Sequence, residues 1–286
     1  MKTRHEKAVD LAYLAGDKIG ALFDVIGHTE APGGRILREY RLARRALETA
    51  LSDPAQARRV LMDFRANLDD ALGSIFDKST ADGMELAELM LAIYELDSPG
   101  IDSSSLVSVS ETQKAVLAQA DAQIHAILGL VISGAASVGA VLGDEQRVGL
   151  FTPVPVARET TRWAAWLFNA TQTGWTSAAI GRNYPEYGRQ AVAAIDERTT
   201  ECCLKVNGQI VQMDEMFTLT GTPRYADKMK APPFHGYCRT AEALVRMKDG
   251  EDGLTRSMRD AAQAELAARA DGSRKEIHPA HATSRR

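Results

Sequence analysis

The sequence is short of cysteine, of aromatic residues and of positive charge, and each shortage excludes something. Three cysteines, all between positions 202 and 238, cannot frame a disulfide-stapled secreted domain. The amino-terminal run Met1-Lys2-Thr3-Arg4-His5-Glu6 leads into an amphipathic pattern rather than the uninterrupted apolar core of a signal peptide. Both features lead us to expect a protein made and kept in a reducing cytoplasm. A formal net charge of −4 argues against a general nucleic-acid binder and leaves room only for a local basic patch. With aromatics at 6% and alanine abundant, helices should pack closely around thin cores.

What is present is an ordinary soluble balance, 45% hydrophobic and 25% charged, in a chain of 286 residues that can bury a core in each of two domains. The first hundred residues have helical periodicity. Leu11, Ala15, Ile19, Leu22 and Ile26 form one stripe, ended by Gly33-Gly34. Asp53-Pro54 starts another helix, with proline where its missing N–H costs nothing, and Leu61, Phe64, Leu68, Leu72 and Ile75 follow on one face. A separate short helix is expected over 84–96, before Pro99-Gly100 and the linker-like Ser103-Ser104-Ser105.

Ser110 and Gln113 suggest a capping box for a long helix over about 110–143. Residues 126–143 contain no charged side chain. Ile124, Leu128, Val131, Ala135, Val138 and Leu142 form one stripe, and Gly129, Ser133, Ala136, Ala140 and Gly143 form another of small residues. Such a run is close to the minimum for a membrane span. Its modest hydrophobicity favours a central helix buried on all sides of a soluble bundle, so no stable membrane association is expected.

Pro153 and Pro155 mark a boundary, 157–171 looks helical, and 174–188 looks like a loop. An apolar strand is expected over 191–195, and 204–211 reads as a hairpin turning on Asn207-Gly208. The expected fold class is therefore mainly α: a helical body over 1–150, then a small α+β domain over 151–250 with a β-hairpin. Residues 251–286 complete the chain as an alanine-rich helix and a basic, disordered tail carrying Arg274, Lys275, Arg285 and Arg286.

The densest chemistry lies between positions 196 and 240. Asp196-Glu197-Arg198-Thr199-Thr200-Glu201-Cys202-Cys203 leads into Asn207-Gly208, and Pro232-Pro233-Phe234-His235-Gly236-Tyr237-Cys238-Arg239-Thr240 follows about thirty residues later. His235 and Cys238, three apart, can face one point that Cys203 can also reach. Thiolate and imidazole are ligands that zinc accepts in tetrahedral sets of four. Asp196 and Arg198 read best as an internal ion pair. His5, His28, His125, His278 and His281 stand alone as surface or core residues.

Asp-x-Arg-Thr, a cysteine four to five residues on, an Asn-Gly turn and Pro-Pro-x-His-x-x-Cys-Arg together resemble the signature of Mu F-like phage minor head proteins. Ala157-Arg158-Glu159-Thr160 loosely matches that family's Ala-Arg-Thr-Glu helix start. The similarity covers residues 155–241. It implies a low-copy structural protein without catalytic residues, assembled in the host cytoplasm and carried in the virion head or portal region. Its partners would be the portal and the coat or scaffold proteins, and its roles head assembly and DNA packaging or delivery. DNA contact would fall to the basic tail. The implied structural positions are Asp196, Arg198, Cys203, Asn207, Gly208, Pro232, Pro233, His235, Cys238 and Arg239.

The chain departs from the family pattern in two places. Thr200 stands where many members have the first cysteine of a Cys-x-x-Cys, and Thr240 replaces the last cysteine of Cys-Arg-Cys. That leaves Cys203, His235 and Cys238 as inherited metal positions. Cys202 is extra, and its side chain is expected to diverge from that of Cys203. Zinc and a metal-free packed knot both remain open, as does a Cys203–Cys238 disulfide. Three functional classes compete: an assembly protein, a Cys/His enzyme with Cys203 as nucleophile, His235 as base and Asp196 orienting it, and a membrane-active ejection protein using 126–143.

Overall fold

The computed structural model describes residues 2–26, 34–142, 150–181, 183–219 and 227–276. Its described residues form eight α-helices and five short strands, so the chain is mainly α with a small sheet region near the carboxyl end, as expected. The helices are α1 (Arg4–Ile26), α2 (Arg35–Ala50), α3 (Pro54–Ile93), α4 (Val109–Ile132), α5 (Val138–Leu142), α6 (Val154–Ile180), α7 (Glu201–Val206) and α8 (Gly253–Ala270). The strands are β1 (Tyr187–Val192), β2 (Ile210–Gln212), β3 (Phe217–Thr218), β4 (Lys228–Met229) and β5 (Ala241–Arg246). Two compact units emerge, one of residues 1–21, 78–107 and 164–286, the other of 22–77 and 108–163. This division does not follow the expected boundary at 150, because α1, α3 and α6 each contribute residues to both units.

In the unit of 22–77 and 108–163, Tyr40, Phe64 and Phe151 form a ring cluster with centroids 4.7 to 5.0 Å apart. α3 starts as the sequence indicates: the Asp53 carboxylate accepts from the backbone N–H groups of Ala55 and Gln56. It then continues unbroken to Ile93, so no separate 84–96 helix exists. α4 is capped by Ser108 rather than Ser110, and the Gln113 amide donates instead to the Asp69 carbonyl at 2.8 Å.

The long buried helix expected over 110–143 is absent. α4 stops at Ile132, Gly134 takes a left-handed φ of +66°, and α5 is a separate turn. The corner is exposed: Ile132 is 72% accessible, Val138 is 49%, and a Cβ built on Gly129 would touch nothing within 4 Å. Gly143 lies outside the described residues. Among the described residues, the small-residue stripe is therefore not a helix-packing surface.

In the other unit, the sheet has the order β2-β1-β5 and is antiparallel throughout, with Gly188 opposite Gln212 and Val245. β3 and β4 form a separate antiparallel pair. α6 supports β5 through Gln172, whose amide donates to the Glu242 carbonyl at 2.6 Å. Because α6 runs to Ile180, the loop expected from 174 begins only after it. β1 occupies 187–192, slightly earlier than the strand expected over 191–195. Residues 204–211 are not a hairpin. Thr200 precedes the short helix α7, and Asn207-Gly208 ends it, with only Gly208 at positive φ (75°). A two-residue hairpin turn of the expected type needs two positive φ angles, whereas a helix end needs one.

Candidate functional site: a Cys/His knot

α7 and the 231–240 loop place the sequence-selected residues around one buried point. The loop has a cis Pro232–Pro233 bond and turns through Tyr237, which has a φ of 62°. Its Cys238 N–H donates to the His235 carbonyl at 3.3 Å. Cys202, Cys203 and Cys238 are all buried, inside a core that also holds Phe217, Phe234 and Val206.

The Cys203 Sγ lies 3.0 Å from His235 Nε2 and 3.6 Å from Cys238 Sγ. The thiols are free, and that separation is far from a bonded pair of about 2.05 Å. Thr200 Oγ1 sits 2.7 Å from His235 Nε2 and 3.1 Å from Cys202 Sγ. The expected divergence of the vicinal cysteines does not occur: ligand atoms of Cys202, Cys203 and His235 all lie within 4.8 Å of one another. Both cysteines sit on the first turn of a six-residue helix, where the sulfurs can lean toward the same side.

The cluster shares protons unevenly. Burial pushes the Cys203 thiol well above its ordinary value. Burial also opposes ionisation of Cys238, yet hydrogen bonding from Cys203 and the charge of His235 hold it well below the usual thiol range. A hydrogen bond with Cys203 and the nearby imidazole lower Cys202 to about 5. Desolvation works against a charged His235, but the Cys238 and Cys202 sulfurs outweigh it and push the ring up to about 11. Without metal, these directions favour charge on the His235 ring beside the Cys202 and Cys238 sulfurs, and the neutral thiol at Cys203.

Three sulfurs and one imidazole also suit zinc. Tetrahedral bonds of about 2.3 Å to sulfur imply sulfur–sulfur edges of about 3.75 Å, close to the Cys203–Cys238 separation. His235 Nδ1 lies 2.5 Å from the Gly236 carbonyl, which fixes that nitrogen as the proton carrier and leaves Nε2 toward the sulfurs. The ligand atoms that gather within 4.8 Å of one another are those of Cys202, Cys203 and His235, while Cys238 Sγ lies 3.6 Å from Cys203. A metal held there would cross-link α7 to the 231–240 loop.

Asp196 does not pair with the Arg198 side chain. Its carboxylate receives Arg239 Nη2 at 2.6 and 2.7 Å, and Arg198 contributes only its backbone N–H at 2.9 Å. Arg198 is exposed, and the ion pair instead joins the two halves of the motif. Burial disfavours charge on Asp196, but the Arg239 guanidinium holds the carboxyl below its usual range. Asn207 is structural as expected, though by another route: its amide oxygen accepts from Ala193 N–H at 2.9 Å and its amide nitrogen donates to the Met258 carbonyl at 3.0 Å.

Several supporting residues carry no local sequence signal. Arg189, 2% exposed, pairs with Glu242 at 2.8 Å and donates to the carbonyls of Lys230 and Glu215 at 2.6 Å each, fixing both ends of the segment before the knot loop. Arg269 on α8 donates to the carbonyls of Thr199 and Asp196 at 2.7 and 3.0 Å. His5, expected to stand alone, is buried between Asp252 and Gln190, at 2.7 and 2.6 Å. His125 lies exposed against the Asp121 carbonyl at 2.6 Å. His28, His278 and His281 lie outside the described residues, as do Arg285 and Arg286 of the basic tail. Arg274 folds back on Glu265 at 2.6 Å.

The space in front of the knot, lined by residues such as Thr200, Cys203, His235 and Tyr237, has room for about one water molecule. It offers a bound substrate no cleft. Neither a protein-family model, nor a curated protein, nor a solved structure matches this chain.

Proposed function

We propose that this chain is a phage minor head protein of the Mu F-like kind, acting structurally in procapsid assembly, portal association and DNA packaging or delivery. The observation that carries the reading is the coupling of the two motif halves: Asp196 to Arg239, and Cys203 to His235 and Cys238. These are the residues on which the resemblance rests, and they cooperate in one folded element rather than lining a cleft. A buried knot without room for substrate favours a folding staple over a nucleophile–base pair. The partners are the portal and the coat or scaffold proteins, reached in the host cytoplasm. The direct test is mass spectrometry of purified heads from the phage that encodes the chain, with deletion of its gene. The protein should be present in few copies, and its loss should yield empty or non-infectious particles. Absence from purified heads overturns the reading.

A second reading is favoured by the α4–α5 corner. α4 contains a window of mean hydropathy 1.6 that is only 33% buried, and the uncharged run continues past Ile132. The expectation of no stable membrane association rested on burial on all sides, whereas Ile132 and Val138 are exposed. As a membrane-active ejection protein, the chain should float with phosphatidylcholine vesicles. Ile132→Glu should abolish flotation without altering the melt, because the side chain is exposed. A wild type that stays at the bottom of the gradient excludes this reading.

A further inference from the structure

We propose that the outer face of α2 binds the phosphate backbone of duplex nucleic acid. The chain is acidic as a whole, yet residues 35–59 hold seven arginines, no lysine and three acids. The structure sorts the side chains of α2 by angle. Ile36, Tyr40, Ala43 and Leu47 are buried on one side, while Arg35, Arg38, Arg41 and Arg45 are exposed on the other. Arg38 and Arg45 point the same way two turns apart, about 10 Å along the axis, with Arg35 and Arg41 about 60° to either side. Glu39 and Glu48 fall toward the edges of this face. Arg58 and Arg59 are exposed on the opening turns of α3, just beyond the short link that ends α2.

The chemistry of this face selects its ligand. Guanidinium forks fit phosphate oxygens bidentately, which a lysine ammonium cannot do. No aromatic side chain is exposed on α2, so the stacking platform used for single strands is missing. A helix lying in a membrane surface must turn its apolar face to lipid. The apolar face of α2 is already buried in its own unit, and Leu42 is the one large apolar side chain of the helix left exposed among the arginines, too little for a lipid-binding face. A duplex backbone, a regular row of phosphates read without bases, is the polyanion that a rigid arginine row matches. This differs from contact through the carboxyl-terminal tail, and it does not rest on the head-protein reading.

The test is fluorescence anisotropy of the full chain with a random-sequence DNA duplex, titrated from about 50 to about 200 mM salt. Wild type should bind with a steep salt dependence. Arg38→Gln combined with Arg45→Gln should weaken binding about tenfold at low salt and reduce the salt slope by about two. Arg256→Gln, exposed on α8, should change neither. Both altered arginines are exposed, so the melt should match wild type. A wild type that ignores the duplex, a double variant with an unchanged slope, or binding to phosphatidylserine vesicles but not to the duplex would each overturn the proposal. Duplex binding by a protein absent from phage heads would sink the head reading alone.

Discussion

Replacing Glu242 by leucine removes the countercharge of a guanidinium that water cannot reach. Arg189 is 2% exposed, Glu242 is 3% exposed, and their charged atoms are 2.8 Å apart. Burial raises the Glu242 carboxyl above its ordinary value despite the neighbouring guanidinium, so desolvation is already weighing on this pair. Breaking such a pair from one side costs about 3–5 kcal/mol, a large share of the roughly 5–15 kcal/mol that holds a domain together. Glu242→Leu and Arg189→Met should each fall in that range. The double variant removes both charges and leaves the carbonyls of Lys230 and Glu215 and the Thr173 hydroxyl without their partners. At about 1 kcal/mol apiece it should lose only about 3 kcal/mol, against about 6–10 kcal/mol if the singles simply added. Urea melts of the four proteins measure the cycle, and thiol-labelling rates report on the knot. Each single variant should label faster than wild type, because Arg189 fixes the segment that carries the 231–240 loop. Additive losses in the double variant would refute the account of this pair as mutually dependent.

Three further outcomes follow from the knot and its supports. Cys238→Ser and His235→Ala should each destabilise the unit by several kcal/mol, and the protein purified under reducing conditions should carry at most one zinc per chain. Elemental analysis without zinc and an unchanged melt after chelation would leave the metal-free packed knot as the native state, and wild-type melting of both variants would remove the structural role altogether. A Cβ on Gly16 of α1 would sit 2.6 Å from the Arg239 carbonyl, so Gly16→Ala should cost about 1–3 kcal/mol by thermal melt despite alanine's better helix propensity, and a stabilised variant would contradict that close approach. Asp196 has a folded carboxyl below its unfolded value of about 3.9, so its contribution is complete above that pH and is lost as pH falls through the folded value. Asp196→Asn should lower stability at neutral pH and flatten the acid limb of the stability profile, and parallel profiles for the two proteins would dismiss the Arg239 pairing.

Local chemistry was legible from the sequence wherever a residue's role is set by its neighbours along the chain. Asp53-Pro54 starts a helix because a carboxylate and a missing N–H solve the same end problem. The His235-to-Cys238 turn closes on itself, and its two ligands converge because only two residues separate them. Pattern was misread where one signal serves two geometries. Asn207-Gly208 suits a hairpin turn or a helix end, and the burial of Leu204 and Val206 on one short helix decided for the latter. The uncharged run at 126–143 suits a core or a surface, and the left-handed Gly134 broke it into two helices around an exposed corner, with Ile127, Val131, Val141 and Leu142 still buried.

The sequence by itself determined a mainly helical chain and named Cys203, His235 and Cys238 as the residues that would meet, because type and spacing are one-dimensional facts. Only the tertiary structure decided that Arg239 rather than Arg198 neutralises Asp196, that Cys202 joins the cluster, and that Arg189 finds Glu242 across the sheet. Charge partners and buried networks depend on register: Arg189 sits opposite Leu244 on β5, which brings Glu242 within reach. No spacing along the chain encodes a contact between residues 53 positions apart, so that part of the site came into view only when the strands were paired.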